Sequence, residues 1–195
     1  MALQELITPP MSAQLEPRRF NVTEYYQMAE AGVLKPEDRV ELIEGEVIKM
    51  SPIGSKHAAC VKRLDDLLHR KFGSKCISIQ SPVRLDDYSE PEPDVALVKS
   101  RDDYYELQHP TAADTLLIIE VADSTVLTDR SIKVPLYARA NVPEVWLVNL
   151  PAQSIEVFND PLAGAYRNTR EFKRGEIFTS PTVIDLTLQV NEILG

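Results

Sequence analysis

Thr115-Leu116-Leu117-Ile118-Ile119-Glu120-Val121-Ala122 is the most apolar stretch of the chain, and it carries a single charge near its end. Eight residues rich in aliphatic side chains predict a central strand that is buried on both faces. A carboxylate inside such a strand is costly to bury unless it is paired or binds a metal. Glu120 is therefore the first candidate for a functional residue.

The segments after this strand predict a parallel crossover. Residues 128–140 have the apolar spacing of a helix, although Pro135 removes a hydrogen bond and should kink it. Residues 144–149 then read as a second buried strand. A strand, a helix and a strand in this order predict a right-handed connection between parallel neighbours.

The segments before it predict antiparallel strands and two helices. Strands over 76–85 and 93–99 are close enough in sequence to be antiparallel neighbours of 115–122. A helix over 55–72 has one apolar stripe and a stop at Gly73. Asn21 is a good cap for a short helix over 22–31.

Two hairpins complete the pattern. Strands over 39–43 and 46–50 are joined by Glu44-Gly45, and strands over 154–159 and 166–172 continue the sheet. The predicted fold is an α/β domain, with a mixed sheet flanked by helices, an N-terminal hairpin and C-terminal strands.

Length and composition predict one domain. The chain has 195 residues, of which 44% are hydrophobic, enough for one core. Residues 1–20 contain three prolines and no period, which predicts a flexible N-terminal arm before a single domain over 21–195.

Sequence features also bear on location. No apolar run approaches the roughly 20 residues that span a bilayer, and the start of the chain has no basic leader. Cys60 and Cys76 fit buried thiols in a reducing compartment and lack the spacing of a zinc site. We therefore expect a cytoplasmic protein without membrane partners.

The charge is acidic overall but unevenly distributed. The net charge of −9 counts against a general nucleic-acid binder. Residues 56–84 hold seven basic and two acidic side chains, whereas 85–129 hold twelve acidic and two basic ones. An acidic site beside a basic helix suits a metal-dependent enzyme that acts on a phosphodiester, although two solvated faces would give the same pattern.

Three charged residues could form one site. Asp94 begins its strand and Glu120 lies near the end of the next, so antiparallel pairing would bring both carboxylates to one edge of the sheet. Mg²⁺ prefers such oxygen ligands, and Lys133 in the following helix could orient a water and stabilise negative charge. Alternatively, Asp94 caps a turn, Glu120 pairs with an arginine, and Lys133 is solvated.

Several further segments, taken in order, resemble those of a known nuclease family. They are Glu41-Leu42-Ile43-Glu44-Gly45-Glu46-Val47, Met50-Ser51-Pro52 with Ser55 and His57, Pro93-Asp94-Val95, Ile119-Glu120-Val121 through Ser124-Thr125, Asp129-Arg130 with Lys133, and Leu136-Tyr137-Ala138-Arg139-Ala140 through Glu144-Val145-Trp146. The chain resembles the Uma-two family of endonucleases in the PD-(D/E)XK nuclease superfamily, from about Asn21 to the C-terminus.

This resemblance implies a restriction-endonuclease-like fold and hydrolysis of DNA. Asp94 and Glu120 would be the ligands of Mg²⁺ (or Mn²⁺), and Lys133 the catalytic lysine. In the superfamily the lysine usually follows the glutamate by two positions, where this chain has Ala122. A lysine from the next helix could replace it.

Three more residues are candidates for the same site. Proteins similar to this one carry an acid in the early hairpin, but strand alternation allows at most one of Glu41 and Glu44 to point into the site. His57 opens a helix, where it could contact the scissile strand or carry a proton. A solvated hairpin and a histidine without a role are the simpler alternatives.

The sequence therefore predicts a magnesium-dependent endodeoxyribonuclease. We expect a homodimer, because cutting two strands needs two sites. One alternative is a catalytically degenerate nuclease-fold module for DNA binding or protein interaction. Another is a carboxylate-pair hydrolase that acts on sugars without a metal.

Overall fold

A six-stranded mixed sheet is the centre of the fold in the computed structural model, which describes residues 17–195. The strands are β1 (Val40–Ile43), β2 (Glu46–Lys49), β3 (Ile77–Ile79), β4 (Val95–Val98), β5 (Thr115–Ala122), β6 (Glu144–Asn149), β7 (Ser154–Leu162), β8 (Ala165–Lys173), β9 (Ile177–Thr179) and β10 (Thr187–Gln189). The helices are α1 (Val22–Glu30), α2 (Ser55–Phe72), α3 (residues 126–139) and α4 (Val190–Leu194), with short 3₁₀ turns at Pro36–Asp38, Ser74–Cys76 and Ala112–Asp114.

The strand order in the main sheet is β3-β4-β5-β6-β7-β8. Only β5 and β6 are parallel, and the other neighbouring pairs are antiparallel. The parallel pair is joined through α3, as the strand–helix–strand pattern predicts. β1 with β2 and β9 with β10 form two separate antiparallel pairs.

The two faces of β5 are both covered, which explains why it is apolar along its length. Leu117, Ile119 and Val121 pack in a core that includes residues of α2 and α4. Ile118 and Ala122 alternate with them and pack in a second core that includes residues of α3. Glu120 belongs to this alternate set and so faces α3.

The strand predicted over 76–85 is much shorter than expected. Only Ile77–Ile79 pairs with β4, because Gln80 has a φ of 44° and the chain then turns at Ser81 and Pro82. Proline has no N–H for a ladder, so the strand cannot continue there. Arg84 makes only an isolated bridge, to Thr111.

The helix after β5 accommodates its proline by widening. It runs through Val126–Thr128, a π-helical turn at Asp129–Lys133 and the final segment Val134–Arg139. A π turn just before Pro135 avoids the clash of the ring with the preceding turn. The helix begins at Val126, two residues before the predicted start at residue 128.

The ends of the chain add two observations. Residues 1–16 of the predicted N-terminal arm lie outside the described residues, and the Phe20 N–H donates to the Gly45 carbonyl at 2.9 Å. Within residues 17–195, the helices lack the combination of length and apolar character needed to cross a membrane.

Candidate active site

The start of β4 and the end of β5 meet at one edge of the sheet. The register pairs Val95 with Ile119, so Asp94, the residue before β4, lies next to the end of β5. The Val121 N–H donates to Asp94 Oδ2 at 2.8 Å. Antiparallel pairing therefore brings Asp94 to the edge where Glu120 lies.

Two side chains hold the Asp94 carboxylate. His57, in the first turn of α2, places Nε2 3.0 Å from Asp94 Oδ2, and Gln80 Nε2 donates to Oδ1 at 3.3 Å. The hydrogen bond to Asp94 raises the pKa of His57, and partial burial opposes that rise. A charged His57 is therefore favoured beside this carboxylate.

Glu120 and Lys133 form a buried ion pair. Lys133 Nζ lies 3.3 Å from Glu120 Oε1, and both residues are less than a tenth exposed. The Tyr137 hydroxyl donates to the same oxygen at 2.5 Å. Burial raises the pKa of Glu120 to about 8; Lys133 lowers it, while Asp94, Asp129 and Glu41 add to the rise.

Glu41 is the second partner of Lys133. Lys133 Nζ lies 3.0 Å from Glu41 Oε2, which also accepts the Glu92 N–H at 3.1 Å. Burial acts to lower the pKa of Lys133, but Glu120 and Glu41 outweigh it and raise that pKa. One ammonium is thus shared by two buried carboxylates, one from the hairpin and one from the sheet.

Glu44 lies outside this cluster. It is exposed at the β1–β2 turn, with a φ of 49°, and pairs with Arg139 at 2.7 Å. Of the two hairpin acids, only Glu41 points into the site, in agreement with strand alternation.

α3 contributes a further buried acid. Asp129 is buried and accepts a hydrogen bond from Thr125 Oγ1 at 2.6 Å. Burial raises the pKa of Asp129, whereas the hydrogen bond from Thr125 lowers it. Asp129 begins the π-helical turn that ends at Lys133, and both side chains line the same pocket.

The pocket around these residues has a volume of about 320 Å³. Its lining includes residues of β2 and the loop to α2, and residues of the segment from Asp123 to Asp129. Five of the six predicted site residues meet around it, either as lining or as direct partners; Glu44 does not. Its acidic lining residues are Glu41, Glu92, Asp94, Glu120, Asp123 and Asp129.

A comparison with protein families identifies the chain. Residues 22–191 match the model of the Uma2 family, which is described as "Putative restriction endonuclease". The chain belongs to the Uma2 family. The match covers every strand of the main sheet and all the site residues above.

A solved structure shares the fold of this Uma2-family protein. It is described as a putative nuclease belonging to DUF820 from Anabaena variabilis. It has a TM-score of 0.65 and 14% sequence identity over 90% of this chain and 97% of the other. This likeness establishes the restriction-endonuclease-like fold. A search of curated proteins gives no match.

The donor set fits a hard divalent cation. Six carboxylates line the pocket against the three basic side chains of Arg39, Lys49 and Lys133, so negative charge is in excess. Within residues 17–195, no three His, Cys, Asp or Glu side chains converge as a ready-made metal cage. Mg²⁺ is commonly held by one or two carboxylates, with water and substrate oxygens completing its shell.

Four residues of the site are additional to the sequence prediction. Glu92 lies two residues before Asp94, and Asp129 and Tyr137 lie four residues on either side of Lys133. These spacings place residues on a common face of an extended segment or a helix, so they could have been used. Gln80 had no such signal, because its position depends on the turn that ends β3.

Proposed function

We propose that this Uma2-family protein is a metal-dependent endonuclease that hydrolyses DNA phosphodiester bonds. The observation that carries the proposal is the buried Lys133 ammonium, which Glu41 and Glu120 share in the lining of an acidic pocket. Buried charges that are paired in a cleft and surrounded by further acids are typical of active sites.

Asp94 and Glu120 would hold the divalent cation, Mg²⁺ or Mn²⁺. When bound, such an ion acts as a Lewis acid toward a phosphodiester and offsets its charge. The protein keeps both ligands oriented: Asp94 through His57, Gln80 and the Val121 N–H, and Glu120 through Tyr137. Such outer partners fix the direction of the ligand oxygens.

Lys133 supplies positive charge at the reacting centre. Its raised pKa, for which Glu120 and Glu41 outweigh the effect of burial, keeps it protonated at neutral pH. Two of its three N–H donors face Glu41 and Glu120, and the third can donate to an attacking water or to a phosphate oxygen as negative charge develops. The lysine from α3 would thus take the role of the lysine that Ala122 replaces.

Glu41 and His57 would assist. Glu41 orients the Lys133 ammonium at 3.0 Å. His57 Nδ1 is buried and has no hydrogen-bond partner within the described residues. His57 holds Asp94 through Nε2, and it would exchange a proton with a substrate or a water that enters the pocket it lines.

A plasmid-nicking assay tests the proposal. We expect the wild type to nick supercoiled DNA with Mg²⁺ or Mn²⁺ but not with EDTA. Asp94→Asn and Lys133→Ala should each lower the rate at least about 100-fold. Lys71→Ala is the matched lysine control, because Lys71 is exposed at the far end of α2. Equal nicking by the wild type and both site variants would refute the proposed roles.

One observation favours a second candidate, a catalytically degenerate module. Lys133 already pairs with Glu120 and Glu41 within the chain, which is also how a purely structural ion pair would look. A wild type that binds DNA or a protein partner but does not nick with either metal would support this alternative. Cleavage that is insensitive to EDTA would instead argue against the metal.

A further inference from the structure

Arg39 differs from every other arginine in residues 17–195. Eight of the others form ion pairs, Arg63 and Arg174 bond to residues near the C-terminus, and Arg170 lies over the ring of Phe172. Within the described chain, the exposed Arg39 guanidinium makes none of these contacts. It is therefore available to a ligand.

The position of Arg39 indicates which ligand it could bind. It lines the acidic pocket together with Glu41, and it directly precedes β1, where its φ is 29°. Its charge acts on Glu92 and His57: burial raises the pKa of Glu92 and Arg39 opposes that rise, and Arg39 also lowers the pKa of His57. Arg39 is thus an exposed residue of the pocket lining whose charge reaches other residues of that lining.

Arg39 also lines a second cavity. Its volume is about 540 Å³, and it shares Arg39 and Glu92 with the acidic pocket. Lys35 is a second cation in its lining and makes no ion pair within residues 17–195. Arg39 and Lys35 flank the 3₁₀ turn at Pro36–Asp38, which ties Asp38 back to the Lys35 N–H at 2.7 Å.

Two tyrosines complete the lining of the second cavity. Tyr25 and Tyr26 pack edge to face, with ring centroids 5.6 Å apart. The Tyr25 hydroxyl donates to the Val40 carbonyl and the Tyr26 hydroxyl to Glu90, which fixes both rings. Glu90 and Glu92 also line this cavity, so Arg39 and Lys35 offset its acids, unlike the acidic excess of the first pocket. Cations with aromatic rings beside them are features that bind a nucleic-acid strand.

Electrostatics explains why such a path is needed. A DNA strand is a polyanion, and the acidic pocket by itself repels it. A guanidinium matches a phosphate through two parallel hydrogen bonds, which an isolated lysine cannot reproduce.

We propose that Arg39 binds a backbone phosphate of the DNA next to the scissile one, and that the strand continues along the second cavity past Lys35. This inference rests on the proposed function and adds the residues that hold the substrate strand. Arg39 is then a substrate-binding residue, and Lys35 makes the weaker second phosphate contact.

The test measures DNA binding without cleavage. A fluorescein-labelled duplex is titrated with the wild type, Arg39→Gln and Lys35→Gln, in Ca²⁺ or EDTA, and anisotropy is recorded over a range of salt concentrations. Arg39→Gln should weaken binding about tenfold and Lys35→Gln about threefold. Each variant should make the negative slope of log affinity against log salt shallower by about 0.9, because one phosphate contact is lost.

The matched control is Arg170→Gln. Arg170 is exposed on β8, three strands away from β5 in the sheet. It should change neither affinity nor salt slope, and thermal unfolding by circular dichroism should show all variants folded. The inference is overturned if the wild type does not bind, or if Arg39→Gln weakens binding no more than Arg170→Gln.

The outcome is separable from that of the proposed function. A wild type that binds through Arg39 but does not nick with Mg²⁺ or Mn²⁺ would refute the nuclease and keep the strand path. A wild type that nicks, with binding unchanged by Arg39→Gln, would refute the path and keep the nuclease.

Discussion

Glu120 and Glu144 are both buried glutamates on neighbouring parallel strands, yet their surroundings differ in kind. Glu120 lies toward the end of β5 and is 3% exposed, and Glu144 begins β6 and is 0% exposed. Because the register pairs Ile118 with Val145, the two side chains occupy opposite ends of the strand pair.

Neutral donors surround Glu144. Trp146 Nε1 donates to one oxygen, and Ser180 Oγ, Thr182 Oγ1 and the Thr182 N–H donate to the other. No lysine or arginine pairs with it in the part of the chain that the structure describes. Glu144 thus ties the start of β6 to the segment between β9 and β10, which is a structural role.

Charges surround Glu120 instead. Lys133 attracts it, while Asp94, Asp129 and Glu41 repel it and burial raises its pKa to about 8. The comparison teaches that burial of a carboxylate does not by itself mark a functional site. What distinguishes the site is a surplus of like charge that the fold leaves incompletely neutralised.

The largest expected effect concerns Glu144. Glu144→Ala removes the acceptor of four donors, those of Trp146 and Ser180 being buried, and should lower the free energy of unfolding by about 4 kcal/mol. The measurement is urea unfolding followed by circular dichroism. Glu171→Ala, at an exposed position on β8, is the control and should cost less than about 0.5 kcal/mol. If both variants lose equal stability, the hydrogen bonds of Glu144 do not stabilise the link between β6 and the segment that joins β9 to β10.

Glu120→Gln should show the opposite profile. Nicking should fall about 100-fold, about 2.7 kcal/mol in activation free energy, because an amide is a poor metal ligand. The free energy of unfolding should stay within about 1 kcal/mol of the wild type, because Lys133 keeps Glu41 as its partner. The amide also keeps the shape of the side chain and removes the repulsion from the neighbouring acids. A variant with full nicking activity would contradict the assignment of Glu120 as a ligand.

Glu41→Gln and Glu44→Gln compare an acid inside the site with an acid outside it, both in the β1–β2 hairpin. Glu41 contacts Lys133 and Glu44 is exposed, so nicking should fall about tenfold for the first and stay within about twofold for the second. The two rates come from the same plasmid assay. Equal loss in both variants would show that the pocket extends to the hairpin turn.

Mn²⁺ should stabilise the protein in a way that depends on Glu120 and not on Glu144. Mn²⁺ at about ten times its dissociation constant should raise the free energy of unfolding of the wild type by about 1.4 kcal/mol. The same gain should appear in a Glu144→Gln background and be absent from Glu120→Gln. Thermal unfolding with and without EDTA measures it, and an equal gain in all three proteins would place the ion elsewhere.

The smallest expected effect is that of Tyr137→Phe. Losing the hydroxyl that donates to Glu120 should lower the free energy of unfolding by about 0.5 to 1 kcal/mol. It should also weaken Mn²⁺ binding, measured by calorimetry, because Glu120 is then less firmly oriented. Unchanged binding would reduce Tyr137 to a packing role.

Most of the fold could be predicted from local patterns. The bounds of α2, β5 and β6 coincide with the apolar periods of 55–72, 115–122 and 144–149. The strand predicted over 76–85 is too long, because its apolar residues continue past the positive φ of Gln80 and past Pro82, where the pairing with β4 ends. The π-helical turn before Pro135 was also missed; a proline predicts a distortion but not its form.

The candidate site was predicted less completely. Asp94 and Glu120 followed from strand order, because antiparallel neighbours bring the start of one strand to the end of the other. The choice between Glu41 and Glu44 stayed open, since alternation says that they differ but not which one faces inward. Arg39, which has no ion-pair partner among residues 17–195, could not be recognised at all, because a missing partner is visible only when the neighbours are placed.

The sequence by itself determined which segments form strands and helices, and which acids carry the resemblance to the Uma2 family. Those properties depend on periodicity and local chemistry over a few residues. Only the tertiary structure decided that Lys133 joins Glu41 to Glu120, and that Glu144 is satisfied by neutral donors. The energy of a buried charge depends on the distances to all its neighbours, and the fold sets those distances.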